Sequence, residues 1–302
     1  MRIAIDAGHG SNTAGKRTPA MPVNIDFEND GIIDVKKGDS IREHTAAVGV
    51  AIFLVEELKR CGIDTIKTGF NDNNPYNDDD TPLTTRQSMI KKAQCDYSIS
   101  LHFNAFGDGS KFNSAEGVGI YIHNTNVKDS KKFAETVLKH LIKGTSQIDR
   151  GIEPQALAMC NCKTLNVKAA ILVELAFMTN QREATKLMGS VVFWKECAVE
   201  IAKGVCEYTG IKYVEIDNIP KKTVTKTSSV SDIKWVQTNL NKYLNMIQGF
   251  IPLKVDGIFS NKTRIAVLMY WETLGWNQSG EGTGWQVGMK TINALKSGKL
   301  NN

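Results

Sequence analysis

The sequence predicts an α/β fold, a twisted and largely parallel sheet flanked by helices, with a small α-helical domain at the C-terminal end. Three observations carry the expectation. Short apolar runs of β type alternate with helix-period segments over the first two thirds of the chain. Several of those runs stop at Gly- or Asn-rich turns, where a parallel sheet displays reactive groups. A polar stretch with Pro220 and a Lys-Thr-Ser mixture then separates this pattern from a tail of helical periodicity. The resulting division is 1–211 for the α/β domain, 212–230 for a linker and 231–302 for the helical domain.

Taken in order, Arg2 to Ala7 reads as a buried strand. Ser11 to Arg42 is long, polar and rich in Pro, Asp and Gly, a loop expected to wall a cleft beside His9. Glu43 to Cys61 reads as a helix, with Val48, Ile52, Val55 and Leu58 on its apolar face and Gly62 closing it. Ile63 to Thr68 is the next strand. Asn71 to Asp80 has the composition of a calcium loop but lacks the central Gly and distal Glu of an EF-hand, which favours a solvated turn. Leu83 to Ala93 is helical, and Tyr97 to Leu101 and Gly119 to Ile122 are strands. Phe133 to Ile142 is a helix and Ala169 to Leu175 a strand. Lys195 to Tyr208 closes the series, with Ala198, Ile201, Ala202 and Val205 on one face.

Composition narrows the function classes. With 302 residues, 41% hydrophobic and 23% charged, the chain can bury a full core and has the composition expected of a soluble globular protein. The longest apolar run, Ala46 to Val55, is too short to span a bilayer. Residues 1–211 carry a net charge of −1 and residues 212–302 a net of +6, so the basic surplus lies in the tail, which is expected to meet an anionic surface. The six cysteines are scattered through apparent core segments and read as free thiols; Cys160 and Cys162 read as half-buried thiols on a strand. At the amino terminus an apolar run broken by Asp6 offers no signal-peptide core, so synthesis in the cytoplasm is expected.

The chemistry is suggested by four residues. His9 and His102 end apolar runs, Glu43 opens a helix, and Glu174 ends the run Ala-Ala-Ile-Leu-Val-Glu. Two imidazoles and a carboxylate make an open zinc site; water there falls in pKa from about 15.7 to roughly 7, and a second carboxylate supplies a proton acceptor. The helix places His44 about 100° from Glu43, so one of the two faces the metal, and Glu43 is expected to. Gly10-Ser-Asn-Thr-Ala-Gly15-Lys16 has the spacing of a phosphate loop, but Arg17 stands where a Ser or Thr should bind Mg²⁺. Pro19 and Pro22 also obstruct the helix whose amino terminus would receive the phosphates.

The segments Ile-Asp-Ala-Gly-His9-Gly, Arg-Glu43-His, Ser-Leu-His102-Phe-Asn-Ala and Val-Glu174-Leu-Ala-Phe-Met-Thr-Asn resemble, in order, the four signature segments of the zinc-dependent N-acetylmuramoyl-L-alanine amidases. Arg86 and the Arg150-Gly pair look like further landmarks of that family, and the resemblance spans about residues 1–210. Departures are Ala176, where a Gly is usual, and the long segment before Glu43. The resemblance implies His9, Glu43 and His102 as ligands of Zn²⁺, Glu174 as the catalytic carboxylate, and peptidoglycan as substrate. The implied reaction is hydrolysis of the amide between N-acetylmuramic acid and L-alanine.

Beyond the linker, Ile233 to Leu244 and Lys262 to Leu274 read as helices, and Gly-Met-Lys-Thr-Ile-Asn-Ala-Leu echoes the second turn-helix. The tail resembles the small peptidoglycan-binding domain that often accompanies wall hydrolases, on the run Val255-Asp256-Gly257-Ile258-Phe259 and Lys262-Thr263. Ser260 departs from a usual Gly, and Tyr270-Trp271 from Phe-Gln. The implied whole is a phage or prophage endolysin or an autolysin acting on the wall after release, with no nucleic-acid partner and no membrane insertion. A zinc peptidase of the stem peptide and a noncatalytic wall-binding protein are the alternatives.

Overall fold

The first unit forms six strands, all but the fifth from its apolar runs: β1 (Arg2–Ala7), β2 (Asp64–Thr68), β3 (Tyr97–Asn104), β4 (Val118–Ile122), β5 (Asp149–Pro154) and β6 (Ala169–Phe177). In this computed structural model they form one sheet in the order β2-β1-β3-β6-β4-β5. All residues are described except 29–30, 73, 126, 216–218, 246, 248, 277–282 and 298–302. Neighbouring strands are parallel apart from β4 and β6, which run antiparallel. Parallel pairs need long crossovers. Helix α1 (Glu43–Arg60) carries β1 to β2, α2 (Leu83–Lys92) carries β2 to β3, and α3 (Val127–Thr145) carries β4 to β5.

The alternation of side chains along the strands separates two unequal faces. One face presents Ile3, Ile5, Ile99, Leu101, Phe103, Ile171, Val173, Val118 and Ile120 to a core shared with the large helices. There α6 (Val191–Thr209) packs against both α1 and α3. On the other face Ala4 and Ala170 meet a small cluster with Ile90 of α2 and Met159, Cys162 and Leu165. A 3₁₀ turn (Ala158–Cys160) and α4 (Cys162–Leu165) supply the last three. This second face is polar along its middle, with Asp6, Ser98, Ser100, His102 and Glu174.

Several expectations are corrected. β5 has no apolar run, because an edge strand with four of its six residues in solvent needs none, and the exposed Asp149 and Arg150 hid it from the sequence. Cys160 and Cys162 lie in the 3₁₀ turn and α4, fully buried, and not on a strand; all six cysteines are free and buried. The Ser11–Arg42 loop buries Met21, Ile25, Phe27 and Ile41 and makes antiparallel bridges Arg17 to Arg42 and Ile25 to Val35. After β6, α5 (Gln181–Glu183) runs into a π-turn (Ala184–Met188). Among the described residues no helix is long and apolar enough to cross a membrane.

The chain divides into units Met1–Val214 and Glu215–Asn302. Both draw on the segment expected as linker, of which 216–218 lie outside the described residues. Tyr213 donates its hydroxyl to Glu57 at 2.5 Å, and Val224 is buried and bridges Val287. In the second unit, α7 (Val230–Leu244), α8 (Asn261–Thr273) and α9 (Met289–Ser297) close over Val236, Leu240, Val267, Tyr270, Trp271 and Ile292. Ser260 caps α8 by accepting from Thr263 N, which gives that Ser a role a Gly could not fill.

Candidate metal centre and active site

At the end of β1 the chain turns sharply over β3. Gly8 N donates to Leu101 O at 3.0 Å, and His9 then takes the left-handed conformation, with φ of 60°. Position 8 admits only glycine, because a Cβ there would run into the His102 ring. His102 stands near the end of β3 and pairs in register with Glu174 on β6. Every residue of β6 is buried except Glu174, which is partly open. Glu43, the first residue of α1, reaches over the end of β3, and its Oε1 accepts from Phe103 N at 3.1 Å.

The three residues expected as ligands therefore meet. Their nearest donor atoms lie within 4.8 Å of one another, and the His9 and His102 rings stand edge to face, 5.0 Å between centroids. His102 Nδ1 is 2.9 Å from Glu43 Oε1, and His9 Nε2 is 3.3 Å from Glu43 Oε2. Glu43 Oε2 is buried without a hydrogen-bond partner, which costs free energy unless a cation or proton is there to receive it. Two imidazole nitrogens and one carboxylate oxygen are a donor set suited to a metal with an open position.

Charge reinforces the distinction between the two carboxylates. Burial by itself would raise the Glu43 carboxyl, but the imidazoles of His102 and His9 outweigh it and hold the group well below the usual carboxylate range. His102 is raised: burial opposes its charge, and the bond and field of Glu43 prevail. Glu174 moves the other way. Desolvation lifts it to about 7, opposed by His102 and reinforced by Glu43, and its Oε2 is buried with no hydrogen-bond partner. The carboxylate that supports the chain just after β6 is a different one: Glu183 accepts from Gly117 N and Phe177 N, while Asn180 caps Glu183 N.

A supporting shell was not read from the sequence. Arg86, buried on α2, uses all five donors: to Asp6 at 3.1 Å, Ala7 O at 2.6 Å, His9 O at 2.6 Å, Asp80 at 3.1 Å and Thr81 O at 2.8 Å. Asp6 is held as well by Ser100 at 2.5 Å and Thr68 at 2.9 Å. His44 is no ligand; its Nδ1 meets Gly8 O at 2.9 Å and its Nε2 meets Asp78 at 3.1 Å. The stretch expected as a solvated turn instead clasps the His9 turn, for Asp79 accepts from Asn12 and Asp80 from Thr13. A cavity of about 290 Å³ opens beside His9 and His102, lined also by Asp80, Leu83 and Met159. Two histidines left out of the site engage neighbours elsewhere, His123 with Thr125 and His140 with Glu207.

Comparison with known proteins identifies the family and agrees with the fold. The uncharacterized protein YqiI of Bacillus subtilis (strain 168) is 24% identical over 209 residues, covering 68% of this chain and 84% of that one. The N-acetylmuramoyl-L-alanine amidase LytC of the same organism is 30% identical over 132 residues, 44% of this chain and 25% of LytC. The crystal structure of an N-acetylmuramoyl-L-alanine amidase from Clostridium difficile 630 superposes with a TM-score of 0.52 at 22% identity, over 69% of this chain and 96% of that one, and so shares the fold. Residues 3–207 match the family described as N-acetylmuramoyl-L-alanine amidase. A match running through nearly the whole first unit places the chain in the N-acetylmuramoyl-L-alanine amidase family, and its activity is the hydrolysis of peptidoglycan at the amide that this name specifies.

Proposed function

We propose that the chain hydrolyses the muramoyl–L-alanine amide at a zinc ion held by His9, Glu43 and His102, with Glu174 as the catalytic carboxylate. The single observation that carries the reading is the convergence of those three donors around a buried Glu43 oxygen that makes no hydrogen bond and has only the His9 imidazole, at 3.3 Å, as a charged neighbour. Zinc with three protein ligands supplies Lewis acidity toward a carbonyl and toward water at neutral pH. Glu174 stands one strand away from His102 in the same register row, so it takes the proton of the attacking water and passes it to the leaving amine of L-alanine. Burial, by raising its basicity to about 7, suits it to both transfers. Arg86 and His44 hold the His9 turn in place while this occurs. The second unit, with its basic surplus and its likeness to wall-binding modules, tethers the enzyme to its polymer, as in an endolysin or autolysin.

Digestion of purified peptidoglycan is expected to release new L-alanine amino termini without new reducing sugars; new termini at another stem residue would replace the amidase by a peptidase. Glu174→Ala is expected to keep near-stoichiometric zinc and lose about 10²- to 10⁴-fold in rate. His102→Ala is expected to lose zinc and activity together. A fully active Glu174→Ala would remove that residue from the mechanism.

A further inference from the structure

The row that carries His102 and Glu174 continues across two more strands. Glu174 on β6 pairs with Gly119 on β4. Val118 pairs with Asp149 and Ile120 with Ile152, so a register shift leaves Arg150 and Gly151 of β5 together opposite Gly119. Irregularities of this kind re-aim a side chain next to a site. With neighbouring strands about 4.8 Å apart, the Arg150 backbone lies about 10 Å from that of Glu174, with no side chain between them.

The space is kept open for the Arg150 side chain. A Cβ at Gly117 would lie 3.1 Å from its Cγ, and one at Gly119 would lie 3.3 Å from its Cβ. The guanidinium stacks over the Phe177 ring at 4.9 Å, which orients it and leaves its N–H groups to bond in the ring-parallel plane. Its protein hydrogen bond is a long one, 3.4 Å to Glu116 O, and among the described residues it makes no ion pair. Glu116, the nearby carboxylate, is taken by Arg182 at 3.0 Å. An exposed, pre-oriented guanidinium without a carboxylate, at one end of the catalytic row, is a receptor for an anion.

We infer that Arg150 is a specificity-determining residue that binds the free carboxylate on the stem-peptide residue following L-alanine. The inference rests on the amidase reading and adds the direction of the peptide, from Glu174 toward β5. A carboxylate one residue past the L-alanine lies about 7 Å from the scissile nitrogen, within reach of an Arg side chain anchored two strands away.

The test compares N-acetylmuramoyl-L-alanyl-γ-D-glutamyl-L-lysine with its α-amidated isoglutaminyl counterpart, in both of which the lysine amide takes the γ-carboxyl, so that they differ only in that α-carboxylate. The full chain is expected to favour the acid about tenfold in kcat/KM at low salt, chiefly through KM. Arg150→Ala brings the ratio to about one, and Arg150→Lys retains part of it. A merely structural Arg150 would slow both substrates alike, so an unchanged ratio in Arg150→Ala, or no preference in the parent chain, overturns the inference. Calorimetric binding of both compounds to Glu174→Ala reads the same ratio without turnover. A chain that hydrolyses neither compound yet binds the acid in an Arg150-dependent way overturns the amidase reading alone.

Discussion

Replacing Glu174 by Gln in the metal-free protein isolates the electrostatic state of the site. Desolvation raises this carboxyl from its ordinary 4.5 to about 7, so the folded chain favours its neutral form. Its contribution to stability is therefore fully present below pH 4.5 and is lost as the pH rises through about 7. At 1.36 kcal/mol per pH unit the whole displacement is worth at most about 3 kcal/mol. Gln keeps the shape and stays neutral at every pH. The two chains should then be about equally stable at pH 4, and at pH 8.5 the variant should be the more stable by up to about 3 kcal/mol. For a unit of this size that corresponds to a rise of about 6 to 10 °C in Tm, read by scanning calorimetry after chelation. Adding Zn²⁺ should narrow the gap, because a cation beside the carboxylate favours its charged form. A pH-independent difference, or a variant less stable than its parent at pH 8.5, would refute the account of Glu174 as a desolvated carboxyl.

Two further outcomes are expected. Arg86→Met leaves the buried Asp6 with its two hydroxyl donors but no cation, and His9 O without its donor, and should cost about 3 to 5 kcal/mol in chemical unfolding together with weakened zinc retention against a chelator; unchanged retention would detach Arg86 from the site. A chain ending at Val214, which keeps Tyr213 on Glu57 and Val214 O on Arg60, should hold its zinc and cleave soluble muropeptide while lagging on intact walls, the more so at low salt. Equal wall binding by the long and short chains would show the second unit to be a structural appendage.

The parts of the site that the sequence disclosed share a property. His9, His102 and Glu174 each interrupt or end an apolar run, and a polar residue in such a place stands out against the buried strand around it. Glu43 was legible because a helix begins there after a long polar loop. The supporting shell lacked any such contrast. Asp78, Asp79 and Asp80 belong to a run of eight Asn and Asp residues broken by Pro75 and Tyr76, and composition there points to solvent. Only the close approach of two segments some 68 positions apart turns those carboxylates into clasps on the His9 turn. β5 was hidden for the opposite reason: an edge strand needs neither alternation nor an apolar face, and its pairing with β4 is set by the sheet.

The two glutamates finally show how environment divides labour between like groups. Glu43 is buried at the start of α1 and Glu174 is partly open within β6, and the surroundings push the two carboxyls in opposite directions. Glu43 faces two imidazoles and a backbone N–H, which favour the charged carboxylate that a cation needs as a ligand. Glu174 has the same His102 as its neighbour in the sheet but no donor on Oε2, and with Glu43 already negative nearby a second charge is disfavoured. Carboxylates driven apart in this way can act as a fixed ligand and a proton carrier at the same pH. Exchanging their roles would require moving the Phe103 N–H and the His9 turn, not the glutamates themselves. The proposed assignment thus depends on the strand ends that surround them, which is why the glycine at position 8, where a Cβ would strike His102, matters as much to the proposed chemistry as the candidate ligands do.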